Sequence, residues 1–299
     1  MMPGVNPQLM GWLGVDDIQR TFAAQFPALR QSSPRLFSAP PSHQTVCLYR
    51  AYYDVLGQDW QGYPSQEIGD CVSFGHGHGN DLLQCIAVGL GGKSGYFETQ
   101  TEFIYGASRE VAGILGGGDG SYGADAVKAM QQLGMVSRKM LGDSGTYSGA
   151  RARQWGASGP PEEMKSQAVN FKLGAAALVS SWDEYCRSIQ NGHPVTICSI
   201  KGFTTVRDAM GFCLPSGQWG HCMVCAGVRF DRPGALILQS WGPNVPTGPT
   251  TLGQPSWSFW VDEGPFSQML AEGDSWALSQ SPSFDPQKLP KAWTYGVAA

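Results

Sequence analysis

The chain of 299 residues is long enough to bury a full hydrophobic core, as one large domain or two small ones. Its net charge of −4, with charged residues at 15% of the chain against a usual ~25%, excludes the basic footprint of a nucleic-acid binder. No run approaches the ~18 apolar residues of a membrane span, and "MMPGVNPQLMGWLGVDDIQR" lacks the basic start and continuous apolar core of a secretory signal. An unprocessed protein is expected, cytoplasmic or within an intracellularly assembled particle, with no nucleic acid and no membrane as partner.

In chain order, "VDDIQRTFAAQF" has the apolar spacing of an amphipathic helix. The Pro/Ser-rich "ALRQSSPRLFSAPPSHQ" that follows reads as an extended arm or linker. Residues 1–44 are thus expected to be an arm that docks within the chain or onto a protein partner, residues 45–282 the compact domain, and residues 283–299 a tail. "VCLYRAYYDVLG" suits a short helix closed by Gly57, and a loop leads from there to Cys71. The segment after Cys71 continues as a helix through Leu82, Leu83, Ile86 and Leu90 to Gly91. "TQTEFIYGASREVAG" is a second domain helix. "DGSYGADAVKAMQQLGMV" is a third, with Ser121 or Asp119 as its cap. After a Gly/Arg/Pro-containing stretch comes a fourth, "SWDEYCRSIQNG", capped by Ser181.

From residue 193 the texture changes to short β-prone runs: "HPVTICSI", "HCMVCAGVRF", "ALILQSW", "SWSFWV" and "SWALSQ". Helices followed by strands are the α+β pattern. Within "HCMVCAGV", Cys222 and Cys225 would point to opposite faces of a strand, which argues against a redox or zinc pair. Most of the eight cysteines are expected to be buried thiols.

"QEIGDCVSFGHGHGN" gathers the chemistry-bearing residues. Cys71 would open a helix, where the helix dipole favours a thiolate. Asp70 beside it would oppose ionisation by like-charge repulsion. His76 and His78 diverge by about 200° on a helix and no second ligand cluster stands near them, so no metal is expected and they are read as polar groups beside a cleft. Gly75, Gly77 and Gly79 each weaken a helix by about 1 kcal/mol relative to alanine. Either this helix packs very closely on a neighbour, or its first turns are irregular.

The "Q-x-x-G-D-C" at the head of the first domain helix, the "G-H" opening a strand and the "Q-S-W-G" ending the next one resemble the papain-like cysteine peptidases. The interval from Cys71 to His221 falls within the roughly 130–150 residues typical of that family, and Gln239 lies somewhat beyond it. "DGSYGADAVKAMQQLG" is similar to the family's glycine-pair loop along the substrate cleft. The resemblance implies a papain-like fold, a helical half and an antiparallel sheet half with the cleft between them, and no cofactor. It implies Cys71 as nucleophile, His221 as general base and acid, and Gln66 as oxyanion donor. Gln239 would orient His221, Trp241 would shield that contact, and Gly120 and Ser121 would line the substrate path. Gln239 stands where the family has asparagine, and Val72 where it has tryptophan. The implied activity is hydrolysis of peptide or isopeptide bonds in a peptide or protein substrate. The alternatives are a structural or binding subunit of a larger assembly, such as a virus particle, or a hydrolase of cell-wall peptides.

Overall fold

The computed structural model describes residues 6–38, 42–57, 65–92, 95–243 and 245–295. Near the start, Asp16 accepts the backbone N–H of Gln19 at 2.8 Å and opens α1 (Asp17–Ala23), which is followed by the short α2 (Leu29–Ser32). Segment 28–37 is no free linker. Leu29 and Leu36 are buried in the main core, Leu178 N–H donates to Pro27 O at 3.1 Å, and Arg187 Nη1 donates to Leu36 O at 2.8 Å.

"VCLYRAYYDVLG" divides into a strand, β1 (Thr45–Cys47), and a helix, α3 (Arg50–Leu56), that ends at Gly57 with φ +88°. α4 (Cys71–Gly89) then runs uninterrupted through the glycine-rich stretch. A Cβ on Gly75 would lie 3.0 Å from Cys222 Sγ and 3.2 Å from Met223 N, and one on Gly79 would lie 2.7 Å from Leu278 Cδ1. Close packing against the sheet therefore explains these glycines, and the helix is regular.

The helical half is completed by α5 (Thr101–Ala112), α6 (Gly123–Gln132), α7 (Gly149–Ser158) and α8 (Glu162–Ala168). The last two fall in the Gly/Arg/Pro stretch, which carried no helical expectation. β2 (Ala175–Leu178) leads to α9 (Trp182–Gln190), where Ser181 accepts the Glu184 N–H at 3.3 Å as the sequence suggests. β3 (Val195–Phe203), the long β4 (Pro215–Arg229), β5 (Gly234–Leu238) and β6 (Ser258–Asp262) follow. The described chain closes with α10 (Glu263–Leu270), β7 (Ser275–Ser279) and β8 (Thr294–Tyr295).

The strands form one antiparallel sheet, ordered β2-β7-β3-β4-β1-β8, with β5 and β6 continuing from β4. Phe284 and Trp293 of the C-terminal stretch are fully buried and join the same core. α4 packs across β4 and β3, so the first residue of α4 meets the middle of β4. Cys222 and Cys225 enter different core clusters, as opposite faces of a strand require. Among the described residues no helix is long and apolar enough to cross a membrane.

Candidate active site

Cys71 is the first helical residue of α4 and is fully buried. What buries it includes the N-terminal arm. Residues 9–13 cross the opening between the two halves as an extended peptide, held almost wholly by backbone hydrogen bonds. Gln66 Nε2 donates to Leu9 O at 2.7 Å, and Gly11 N–H donates to Cys71 Sγ at 3.3 Å. Ser121 N–H donates to Gly11 O at 2.8 Å and Leu13 N–H to Ser121 O at 3.1 Å, a parallel bridge centred on Trp12. On the other wall, Trp12 N–H donates to Gly220 O at 3.0 Å. A Cβ on Gly11 would fall 1.7 Å from Gly69 O, so only glycine passes Cys71 at this point.

Gly120 and Ser121, expected to line a substrate path, take the positions that the arm requires. Gly120 has φ +112°, a conformation that favours glycine, and Tyr105 Oη accepts its N–H at 3.0 Å. The Ser121 hydroxyl is engaged with Ser108 Oγ at 2.7 Å, and Asp119 accepts from Gly69 N–H at 3.3 Å and Arg153 Nη2 at 3.1 Å. Neither caps α6. Its opening Gly123 N–H instead donates across the cleft to Asp274 Oδ2 at 2.8 Å.

Gln66 is pinned from both sides. Its Nε2 also donates to Ile68 O at 2.8 Å, its N–H donates to Ser240 O at 2.9 Å, and Ser240 Oγ donates to its Oε1. The "Q-S-W-G" turn thus fixes the amide that would receive a developing oxyanion, and in the closed cleft that amide holds the carbonyl of Leu9 instead.

His221 follows Gly220 in β4 and is fully buried, with its ring against the Trp241 indole at 4.5 Å between centroids. Neither ring nitrogen has a hydrogen-bond partner, so the expected contact with Gln239 is absent. Gln239 turns into its own loop: Nε2 donates to Gly242 O at 2.9 Å and to Val245 O, while Oε1 accepts the Trp241 N–H. The longer side chain of glutamine reaches the local backbone and satisfies itself there, away from the imidazole. Trp241 therefore covers His221 itself and not a histidine–amide pair.

The thiolate that the helix start would favour at Cys71 is likewise opposed by the surroundings. Burial pushes the Cys71 thiol up, against the helix dipole, and lowers His221 to about 3. Burial also raises Asp70 well above the usual carboxylate range; Tyr147 Oη donates to its Oδ2 at 2.8 Å. A histidine held neutral takes up no proton as pH falls below its unfolded value of about 6.5, whereas the unfolded chain does. Stability is therefore lost as pH falls from the unfolded value toward the folded one. Between pH 7 and pH 5 the native chain should lose about 2 kcal/mol more unfolding free energy than His221→Gln, measured by urea denaturation at both pH values. Equal losses would show that His221 is not held neutral.

Three solved structures align over most of the chain. Xylellain, a cysteine protease from Xylella fastidiosa, is 18% identical with a TM-score of 0.63, covering 92% of this chain and 97% of its own. Procathepsin B of Trypanosoma congolense is 9% identical with a TM-score of 0.59, covering 94% and 88%. Digestive procathepsin L 3 of the Tenebrio molitor larval midgut is 13% identical with a TM-score of 0.53, covering 87% and 77%. The fold is papain-like. No protein-family model and no curated protein matches the sequence.

Within this papain-like fold, His76 and His78 are buried between α4 and its neighbours and do not line the cleft. His76 Nδ1 lies 2.8 Å from Val72 O, and its Nε2 lies 3.2 Å from Thr196 Oγ1. Among the described residues no cluster of histidine, cysteine and carboxylate groups could hold a metal. Cys222 Sγ lies 4.0 Å from His76 Nδ1; burial pushes that thiol up, but contacts with Cys198 and His76 prevail and lower it to about 7. Sequence reasoning missed the arm residues Leu9–Leu13, the pinning role of Ser240, and Asp274. A tryptophan between glycines, "MGWLG", is the one local signal that the arm offered.

Proposed function

We propose that the chain is a thiol-dependent hydrolase of peptide or isopeptide bonds, with Cys71 as nucleophile and His221 as general base and acid, and that the N-terminal arm holds the cleft closed. The observation that carries this reading is the arm itself. An extended peptide lies over Cys71, clamped by its backbone to Ser121 and Gly220, with one carbonyl on the Gln66 amide. A groove that binds main chain in this way accepts peptides by backbone pairing.

With the arm displaced, His221 and Cys71 become hydrated, which returns their pKa values toward the ordinary range and lets the helix dipole act on the thiol. His221 takes the Cys71 thiol proton as Sγ attacks the scissile carbonyl carbon and Gln66 donates to the oxygen. The amine leaves with a proton from His221, and water deprotonated through His221 releases the acid from the thioester.

The test is turnover of a fluorogenic peptide mixture by a Gly11→Val chain, whose arm cannot seat against Gly69. Hydrolysis that falls by at least about 1000-fold on adding Cys71→Ala supports the reading. A chain with Cys71 open to alkylation and no turnover favours a second one, a papain-fold binding or structural subunit of a larger assembly. The engagement of Gln239 with its own loop, which leaves His221 without an orienting acceptor, supports that alternative.

A further inference from the structure

Cys71 is one of three sulfurs gathered where α4 meets β4 and β3. Cys71, Cys222 and Cys198 belong to one cluster of buried residues, and all three are free thiols. On α4, Cys71 and Gly75 are four residues apart and share a helix face. A Cβ on Gly75 would lie 3.0 Å from Cys222 Sγ, so the glycine admits this sulfur beneath the first turn of the helix that Cys71 opens. After burial itself, Cys222 acts most strongly on the Cys71 thiol, ahead of Gly11 and of the adjacent Asp70.

Cys222 and Cys198 are directly opposed residues of β4 and β3. The Cys198 N–H donates at 3.3 Å to Asp274 O, on the side away from β4. The two cysteines are therefore a non-hydrogen-bonded pair, the kind whose Cα atoms stand about 4.5 Å apart with their side chains close together. That spacing lies within the range of about 4.4–6.8 Å that a disulfide spans. The two sulfurs are not equivalent. Cys222 Sγ lies 4.0 Å from His76 Nδ1; burial pushes its thiol up, but contacts with Cys198 and His76 outweigh burial and favour ionisation. Burial, and then the contact with Cys222, hold Cys198 well above the ordinary thiol range. One thiol is thus disposed to ionise and its neighbour to keep its proton, and the proposed hydrolysis uses neither.

We propose that Cys222 and Cys198 are a resolving dithiol for Cys71, which returns it to the thiol after attack by a peroxide. When the arm lifts, Cys71 Sγ attacks one oxygen of hydrogen peroxide or an alkyl hydroperoxide and becomes a sulfenic acid; the other oxygen leaves as water or alcohol with the thiol proton. The Cys222 thiolate attacks the Cys71 sulfur, a Cys71–Cys222 disulfide forms, and the expelled hydroxide leaves as water with the proton that Cys222 gave up. Cys198 then attacks the Cys222 sulfur. The Cys198–Cys222 bond forms, the bond to Cys71 breaks, and the Cys198 proton passes to the departing Cys71 thiolate. Cys198 and Cys222 have together lost two electrons and two protons to the peroxide, and Cys71 is a thiol again. A small dithiol reductant resets the pair by the same exchange. Without this route the sulfenic acid advances to sulfinic acid, which thiols do not reverse. The proposal rests on the reading of Cys71 as the reactive thiol beneath the arm, and not on the cleavage of any peptide.

The test uses the full-length Gly11→Val chain, treated with hydrogen peroxide, quenched with iodoacetamide and mapped by mass spectrometry without reduction, with circular dichroism confirming the fold of each variant. This chain should accumulate the Cys198–Cys222 disulfide while Cys71 stays open to alkylation. Adding Cys198→Ser should trap the Cys71–Cys222 disulfide. Adding Cys222→Ala instead should raise the yield of Cys71 sulfinic acid at least about 10-fold at equal peroxide exposure. A Cys198→Ser chain without the Cys71–Cys222 bond would overturn the proposal, as would a sulfinic acid yield that Cys222→Ala leaves unchanged. So would a Gly11→Val chain in which no Cys198–Cys222 disulfide appears. Turnover of the fluorogenic peptides is measured on the same chains. If the two disulfides form as described and no peptide is cleaved, the peptidase reading fails and the dithiol stands. If peptides are cleaved and peroxide abolishes turnover equally fast with and without Cys222, the reverse is true.

Discussion

Gly11→Val is expected to raise the rate of Cys71 alkylation at pH 7.5 by about 100-fold or more relative to the native chain. The cause is a contact that cannot relax. A Cβ at residue 11 would lie 1.7 Å from Gly69 O and 2.2 Å from Gly69 C, and both are backbone atoms. Gly69 is itself wedged between the arm and Asp119, where a Cβ would meet Asp119 Cβ at 2.9 Å. Overpacking against side chains typically costs 1–3 kcal/mol, and against fixed backbone the upper end applies. At about 1.4 kcal/mol per decade, a loss of about 3 kcal/mol in arm docking makes the open form about 100-fold more populated. Labelling follows that population when opening is fast relative to alkylation. The clash lies entirely within the docked arm, so cooperative unfolding of the rest of the chain should shift little. An unchanged labelling rate would mean that Cys71 becomes accessible by a route that leaves residues 9–13 in place.

The largest single loss of stability is expected from Glu102→Ala. The Glu102 side chain is fully buried in α5, yet it carries Arg138 Nη1 at 2.9 Å, Arg151 Nη2 at 2.8 Å and the Ser148 N–H at 3.0 Å. One carboxylate thus ties α5 to the start of α7 and to the loop before it. Arg138 has only 8% of its side chain exposed. Without Glu102, Arg138 keeps, among the described residues, only Glu98 as an ionic partner, at 2.7 Å. Removing one member of a buried ion cluster typically costs 3–5 kcal/mol, because the remaining charges stay desolvated without compensation. Urea titration should show the unfolding free energy falling by that amount, through a lower midpoint at an unchanged slope. Arg35→Ala is the control: its pair with Asp285 has 82% and 57% of the two side chains exposed and should cost less than about 1 kcal/mol. Equal losses would show that the Glu102 cluster is screened by water.

The parts of this molecule written in local pattern could be read before the coordinates. Cys71 stands at the head of a helix whose later turns are apolar on one face, and Ser181 caps α9 because a hydroxyl before a charged first turn is a local signal. The strands from residue 195 onward carry enough β-branched and aromatic residues to announce themselves. α7 and α8 could not be read in this way. α7 carries a Ser148 cap on the Arg151 N–H at 3.3 Å, but Gly149 and Gly156 interrupt its pattern, and its first turn is also held by Glu67 Oε2 on the Gly149 N–H at 2.8 Å, a partner far away in the chain. β1 has only three residues and exists because β4 and β8 pair with it on either side. The arm failed for the same reason: residues 9–13 have no periodicity, and their order comes from Ser121, Gly220 and Gln66.

Gln239 shows a different limit. Its place in "QSWG" was legible, but whether an amide one methylene longer would reach forward to His221 or back to its own turn depends on where the Gly242 and Val245 carbonyls stand, which no local pattern specifies. The raised Cys71 thiol and the lowered His221 both follow from burial, Cys71 beneath Gly11 of the arm and His221 against Trp241, and such burial is a tertiary fact.

The arm is fastened over Cys71 by residues 9–13 and, in a second and longer attachment, by α1 and Phe26 against α6 and Trp276 and by Pro27–Leu36 against β2 and α9. Only residues 14–16 separate the two attachments. When the cleft segment lifts, it is therefore never dilute. A tether of this length keeps it at a local concentration on the order of millimolar, so an arm of micromolar intrinsic affinity imposes roughly a thousandfold handicap on any diffusible peptide that competes for the groove. Diluting the protein does nothing to relieve this, since the competitor travels with the site. What relieves it is anything that loosens the second attachment, at the edge of the sheet and out of sight of the cleft.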